Sequence, residues 1–204
     1  MPRALSATDV EDFRDRLCDA ATKIFAEKGL SGFTMRELAS AIGVSAMTPY
    51  RYFKDKEDIL AAVRARAFDS FADVMEAAFA SVSTDPIAKA NAAGEAYIRF
   101  AFENPQSYHL MFEVNQAEDG AYPDLTRAAD RAKATLTQHI HPLVERGLLH
   151  GDPELLGYVF WAALHGVVSL KLADKLEPPK YGFENVRDEL FRALTFGLAN
   201  QTSQ

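Results

Sequence analysis

The sequence predicts an all-α protein of about nine helices, and three features of the 204-residue chain predict it. Apolar residues recur at helical spacing through most of its length, and no stretch alternates in the manner of a strand. Asp85–Pro86, Asn104–Pro105 and Asp152–Pro153 each join a capping side chain to a proline suited to a first helical turn. At 48% hydrophobic and 25% charged residues, the chain can bury a substantial core in one or two domains.

The first helix is expected from Thr8 or Asp9 to Lys28, where Gly29 stops it. Phe13, Leu17, Ala20, Ala21, Ile24 and Phe25 form its apolar stripe. A short second helix opens at Thr34, an N-cap, and Glu37 completes a capping box. Met35, Leu38, Ala39 and Ile42 are its apolar face, Gly43 turns the backbone, and Val44 plugs the turn. In the third helix an interior Pro49 would cost about 3 kcal/mol. That cost disappears if the helix begins at Thr48 as N-cap, with residues 45–47 as a tight turn.

Asp55 then caps a long helix from Lys56 to about Val82, carrying Ile59, Leu60, Val63, Phe68, Phe71, Met75 and Phe79. The run Ser83–Pro86 breaks the chain and opens a helix to Glu103. A short helix follows through Tyr108, Leu110, Met111 and Phe112, and then a polar loop from Asn115 to Pro123. The next helix, Asp124 to about Gly147, is expected to be bent or interrupted near Pro142. The last two run from Pro153 to about Leu176 and from Phe183 to Ala199. Both are apolar over more than one face and so need cover on both sides.

The segment Phe33–Lys56 carries the chemistry. Two short helices joined by a three-residue turn form a helix-turn-helix, whose second helix enters the major groove of DNA. Ser45, Thr48, Tyr50, Arg51, Tyr52, Lys54 and Lys56 offer hydroxyls and cations for phosphates, Arg51 for a guanine edge, and apolar atoms for a thymine methyl. The net charge of −7 divides unevenly: residues 1–66 carry 11 Lys and Arg against 10 Asp and Glu, and residues 67–204 carry 11 against 19. Between Phe33 and Lys56, four basic residues face two acidic ones, the local excess that phosphate binding requires.

Residues Leu17–Val63 resemble, without gaps, the DNA-binding domain of TetR-type transcriptional regulators. The matching elements are FAEKG before the motif, T-x-R-x-LA-x-x-x-GVS through it and YRYFKDKEDIL after it. FENPQSYHLMF (Phe102–Phe112) and FWAALHGVVSL (Phe160–Leu170) resemble the C-terminal subfamily named for Trp, His and Gly, here Trp161, His165 and Gly166. The resemblance implies a helix-turn-helix domain over residues 1–54 and a ligand-binding and dimerisation domain over residues 55–204. It implies a homodimer through the last two helices, and phosphate contacts from Thr34, Met35, Arg36 and Lys56. Pro49, in place of a common leucine, and the apolar Ala46 and Met47 depart from the pattern and shift base reading to Thr48, Tyr50 and Arg51.

The function expected is a ligand-responsive regulator, most often a repressor in that family, on a near-palindromic DNA operator. Its two recognition helices would lie about 34–36 Å apart. An effector would alter that spacing by tilting the long fourth helix. The alternative is a helical ligand-binding or protein-interaction module with a vestigial DNA head. Aromatic residues in mid-chain, Phe68, Phe71, Tyr97, Phe100, Tyr108, Phe112, Trp161 and His165 beside them, are candidate walls of a pocket for an apolar or aromatic small molecule. His165, one turn after Trp161, reads first as a core histidine orienting it or a backbone carbonyl, and second as a ligand contact.

Catalytic, cofactor and metal sites are not expected. There is no G-x-S-x-G, H-E-x-x-H or phosphate loop, and His139 and His141 lie on different helix faces. No run of 18 apolar residues suggests a membrane span, and no apolar leader opens the chain. The single cysteine, Cys18, reads as a small buried hydrophobe in a cytoplasmic protein.

Overall fold

A computed structural model of the chain describes residues 7–82, 85–112 and 121–199. It is all-α. The helices are α1 (Ala7–Gly32), α2 (Met35–Ala41), α3 (Lys56–Ser81), α4 (Pro86–Glu103), α5 (Pro105–Phe112), α6 (Pro123–Thr137), α7 (His141–Glu145), α8 (Pro153–Leu172) and α9 (Phe183–Ala199), with a 3₁₀ turn at Pro49–Arg51. No strand occurs among the described residues beyond a single bridge between Glu177 and Tyr181. The loop expected from Asn115 falls outside the described residues as far as residue 120, as do Ser83 and Thr84.

Helix boundaries follow local chemistry. The Asp85 carboxylate accepts from the amides of Ile87 and Ala88, and that of Asp152 from Glu154, at 3.1–3.3 Å. Asp55 accepts from the Asp58 amide at 2.9 Å. Each cap satisfies an amide left free at a helix start, and Pro86 and Pro153 occupy first-turn positions where no amide is needed. Of the bend or interruption expected near Pro142, the chain takes the interruption. α6 ends at Thr137, and α7 restarts with Pro142 in its first turn. Gly29, at φ 66°, interrupts α1 as expected, but a final turn resumes to Gly32.

The chain divides into two compact units, Met1–Phe68 with Gln106–Ala129, and Asp69–Pro105 with Asp130–Gln204. α3 and α6 therefore each contribute to both. In the first unit Leu17, Ala21, Phe25, Leu38, Phe53, Ile59 and Leu60 form a core closed to solvent. Cys18 lies inside it, and burial pushes its thiol pKa up against the opposing influence of Arg66. Arg66 also ties α3 to α1 through the Asp15 carbonyl and the Asp19 carboxylate, each at 3.0 Å.

In the second unit Phe71 packs edge-on against Tyr97 and Phe100, with ring centroids 5.5 and 5.2 Å apart. α6 is pinned to α3 by Arg131, which donates to Glu76 twice (2.9 and 2.6 Å), to Asp73 (2.6 Å) and to Asp69 (3.3 Å). Gly157 permits a close approach of α8 to the end of α6, because a Cβ there would lie 2.7 Å from Thr137 Cγ2. α8 is long and apolar enough to cross a membrane by length and composition, with mean hydropathy 1.5. Leu155, Tyr158, Leu170 and Leu172 on α8 and Phe196 on α9 are exposed, so both helices carry uncovered apolar surface.

Candidate nucleic-acid interface and ligand cavity

In the first unit the helix-turn-helix is assembled from α2, a turn and the 3₁₀ segment. The Thr34 hydroxyl accepts from the Glu37 amide at 3.1 Å, half of the expected capping box. The other half is replaced, since the Glu37 carboxylate pairs with Lys28 on α1 instead. At φ 69°, Gly43 takes the left-handed conformation that ends α2, and a Cβ there would be strained.

The recognition segment departs from a regular helix. Thr48 has helical dihedrals (φ −65°, ψ −44°) and makes no side-chain cap bond. It stands at the N-cap with Pro49 in the first turn, as expected, although the segment it opens is a three-residue 3₁₀ turn and not a regular helix. Proline has no amide to donate to the Ser45 carbonyl, which takes the Thr48 amide instead at 2.8 Å. The amides of Tyr52 and Phe53 then converge on the Pro49 carbonyl, both at 3.0 Å. Pro49 is buried, so the ring that shortens the helix also anchors it.

This geometry sorts the expected contact residues. Met47 is 68% exposed and Tyr50 49%, and Ser45, Arg51 and Lys54 are exposed with them on the same short segment. Thr34 and Arg36 are exposed at the start of α2. Met35 is only 6% exposed and belongs to the core, which leaves its main chain as the group it can offer. Thr48 is half-buried, and Tyr52 is half-buried with its ring 4.7 Å from that of Phe13. Lys56 donates to the Leu30 carbonyl, so its ammonium secures the end of α1. One residue went unforeseen. Arg14 donates to the Tyr52 carbonyl at 2.8 Å and lies over the Phe53 ring at 4.5 Å, bracing the segment from α1. Only its sequence distance from the motif hid it.

The second unit contains a cavity of about 300 Å³ between α4, α6–α9 and the middle of α3. Of the eight residues proposed as pocket walls, Tyr97 and Trp161 line it. Phe71 and Phe100 are buried behind Tyr97, and Phe68, Tyr108 and Phe112 belong to the first unit, where they stack on one another. His165 acts through a polar relay. Trp161 Nε1 donates to the Tyr97 hydroxyl (3.2 Å), which meets His165 Nδ1 (3.2 Å), whose Nε2 meets Ser169 Oγ (3.4 Å). Met75, Ile140, Leu143, Leu149, Phe160 and Leu164 supply much of the apolar wall.

Sequence reasoning also missed His139 and Gly94, both in the lining. Burial pushes the His139 pKa down, with the Thr135 backbone acting in the opposite sense. Its Nδ1 is enclosed without a hydrogen-bond partner among the described residues. His141 instead pairs with Glu154 at 2.9 Å. Among the described residues no three His, Cys, Asp or Glu side chains group as metal ligands.

Residues 17–63 match the family model of bacterial regulatory proteins, tetR family, and residues 90–196 match that of the tetracyclin repressor-like C-terminal domain. The chain is 27% identical over 136 residues to the HTH-type transcriptional activator FasR of Mycolicibacterium smegmatis, covering 67% of this chain and 60% of that protein. A protein of unknown function from Rhodococcus sp. RHA1 superimposes with a TM-score of 0.79 at 22% identity, over 98% of this chain and 100% of that one. The TetR family transcriptional regulator PfmR from Thermus thermophilus does so with a TM-score of 0.68 at 25% identity, over 88% and 97%.

Proposed function

From the premise that this chain belongs to the TetR family of bacterial regulatory proteins, we propose that it is a ligand-responsive transcriptional regulator that binds a near-palindromic operator as a homodimer. The observation that carries the reading is the exposed set Met47, Tyr50, Arg51 and Lys54 on a segment anchored by a buried proline. Exposed aromatic and basic side chains on a rigid turn suit insertion into a major groove. Thr34, Arg36 and Ser45 stand ready for phosphates, and Lys56 contributes by fixing α1.

The homodimer is supported by the exposed apolar side chains of α8 and α9. A second copy would convert them into the core of a four-helix bundle. The effector reading is supported by the cavity, whose wall includes Met75 of α3, the helix that also runs through the first unit. An effector acts only to the extent that it binds one α3 arrangement better than another. Such a protein works on DNA in the cytoplasm, with no catalytic step.

Selection of bound fragments from genomic DNA, with purified protein and no added ligand, tests the reading. Recovery of a palindromic site bound far more tightly than random duplex is the expected outcome. Failure to enrich any site, with and without extracted metabolites, would favour the module with a vestigial head. The relative named as an activator makes the direction of control a separate measurement, made with a promoter fusion in cells with and without the protein.

A further inference from the structure

Resting on the effector reading, we propose that the cavity of the second unit takes an uncharged, mainly apolar molecule with a hydrogen-bonding group that meets His139. Among the described residues the lining contains no Asp, Glu, Lys or Arg. An ionised headgroup entering it would shed its hydration and meet no opposite charge. The polar groups in the wall are few and differ in availability. The Tyr97 hydroxyl and Trp161 Nε1 bond each other and continue to His165, so both rings turn aromatic carbon toward the space. Asn91 and Thr195 are exposed and sit at the rim. His139 is half-buried and is the titratable polar group drawn inside without a side-chain partner among the described residues. Burial keeps its ring neutral, so it offers a hydrogen bond rather than a counter-charge.

A second hollow shares Ala90, Asn91, Gly94, Leu164 and Phe191 with the first, and there Arg187 and Asp188 appear. Those two are paired at 2.7 Å, and Glu95, in the same outer wall, is exposed to solvent, so charged groups stay outside the chamber. Gly94 faces both hollows, and a Cβ added there would meet no heavy atom within 4 Å. A side chain at this position would start in open space and grow toward the shared wall of the two hollows.

Trp161, the one tryptophan of the chain, lies in the wall and reports occupancy by its fluorescence. The full chain is titrated at neutral pH with 1-decanol, decanoate and decylammonium. A saturable change with decanol, at a Kd at least tenfold below that of either ion, is the expected result. His139→Leu should raise the decanol Kd fivefold or more, while His139→Gln, which keeps a hydrogen-bonding group, stays within twofold of the parent. Gly94→Leu should abolish binding while melting at or above the parent temperature. An ion that binds as tightly as decanol overturns the proposal, as does the absence of any saturable change with decanol. The ranking of the three probes is read on the parent protein and does not depend on a variant folding. A parent that binds decanol and selects no DNA would sink the regulator reading and leave the cavity's preference standing.

Discussion

Arg14 of α1 and Tyr52, 38 residues later, are joined by a 2.8 Å hydrogen bond from guanidinium to backbone carbonyl. The bond holds the chain where the 3₁₀ turn ends, and the same guanidinium covers the Phe53 ring. Arg14→Ala should cost about 1–2 kcal/mol of stability, from one charged hydrogen bond and one cation–π contact. Operator affinity should fall more than stability does, because the recognition turn loses its brace. Urea unfolding alongside DNA titration measures both. Equal affinity for the variant and the parent would show that the turn holds its shape unaided.

Tyr50 and Arg51 are adjacent and exposed but should fail differently. Replacing Arg51 by Ala removes a charge, so the slope of log affinity against log salt should flatten by about one. Tyr50→Ala should weaken specific binding by about 1–3 kcal/mol and leave that slope unchanged. A salt slope altered equally by both would mean that neither reads a base.

Leu155 and Phe196 are 61% and 70% exposed, so introducing Glu at both should alter monomer stability by only about 0.5 kcal/mol each. Two charges within a bundle core would prevent pairing. Sedimentation should show a dimer for the parent and a monomer for the double variant, with operator binding lost. A variant that still sediments as a dimer would move the interface elsewhere.

For His139 the sign of the pH effect follows from its lowered pKa. The unfolded chain takes up the proton near the ordinary value of 6.5, while the folded chain resists it to lower pH. The contribution to stability is therefore intact above 6.5 and declines as pH falls from there toward the folded value. His139→Gln should match the parent's pH dependence above neutrality and lose less stability on acidification. Thermal melts between pH 7.5 and 5 would show parallel curves if His139 is not the group responsible.

Much of this was legible in the sequence. Asp85, Asp152 and their prolines punctuate the chain through short-range chemistry that needs no tertiary context, and α4 and α8 begin where those pairs place them. The core stripe Leu17, Ala21, Ile24 and Phe25 was equally plain, since helical spacing puts those side chains on one face. What failed was whatever depends on partners distant in sequence. Glu37 left its capping box for Lys28, a charge the local pattern does not reveal. The mid-chain aromatics divide between two units, with Phe68 and Phe71 three residues apart on one helix yet assigned to different cores. Composition cannot make that division. Pro49 stands after Thr48 at the start of its element as local rules place it, but that the element stops after three residues as a 3₁₀ turn was not legible from local pattern.

Arg131 faces more carboxylate than its charge can neutralise, and Asp69, Asp73 and Glu76 follow one another along successive turns of α3. A guanidinium on such a rack can release one oxygen while it still holds the next. The joint between α6 and α3 is thus redundant: loss of any one carboxylate leaves the guanidinium held by the others, so no single substitution among them parts the two helices.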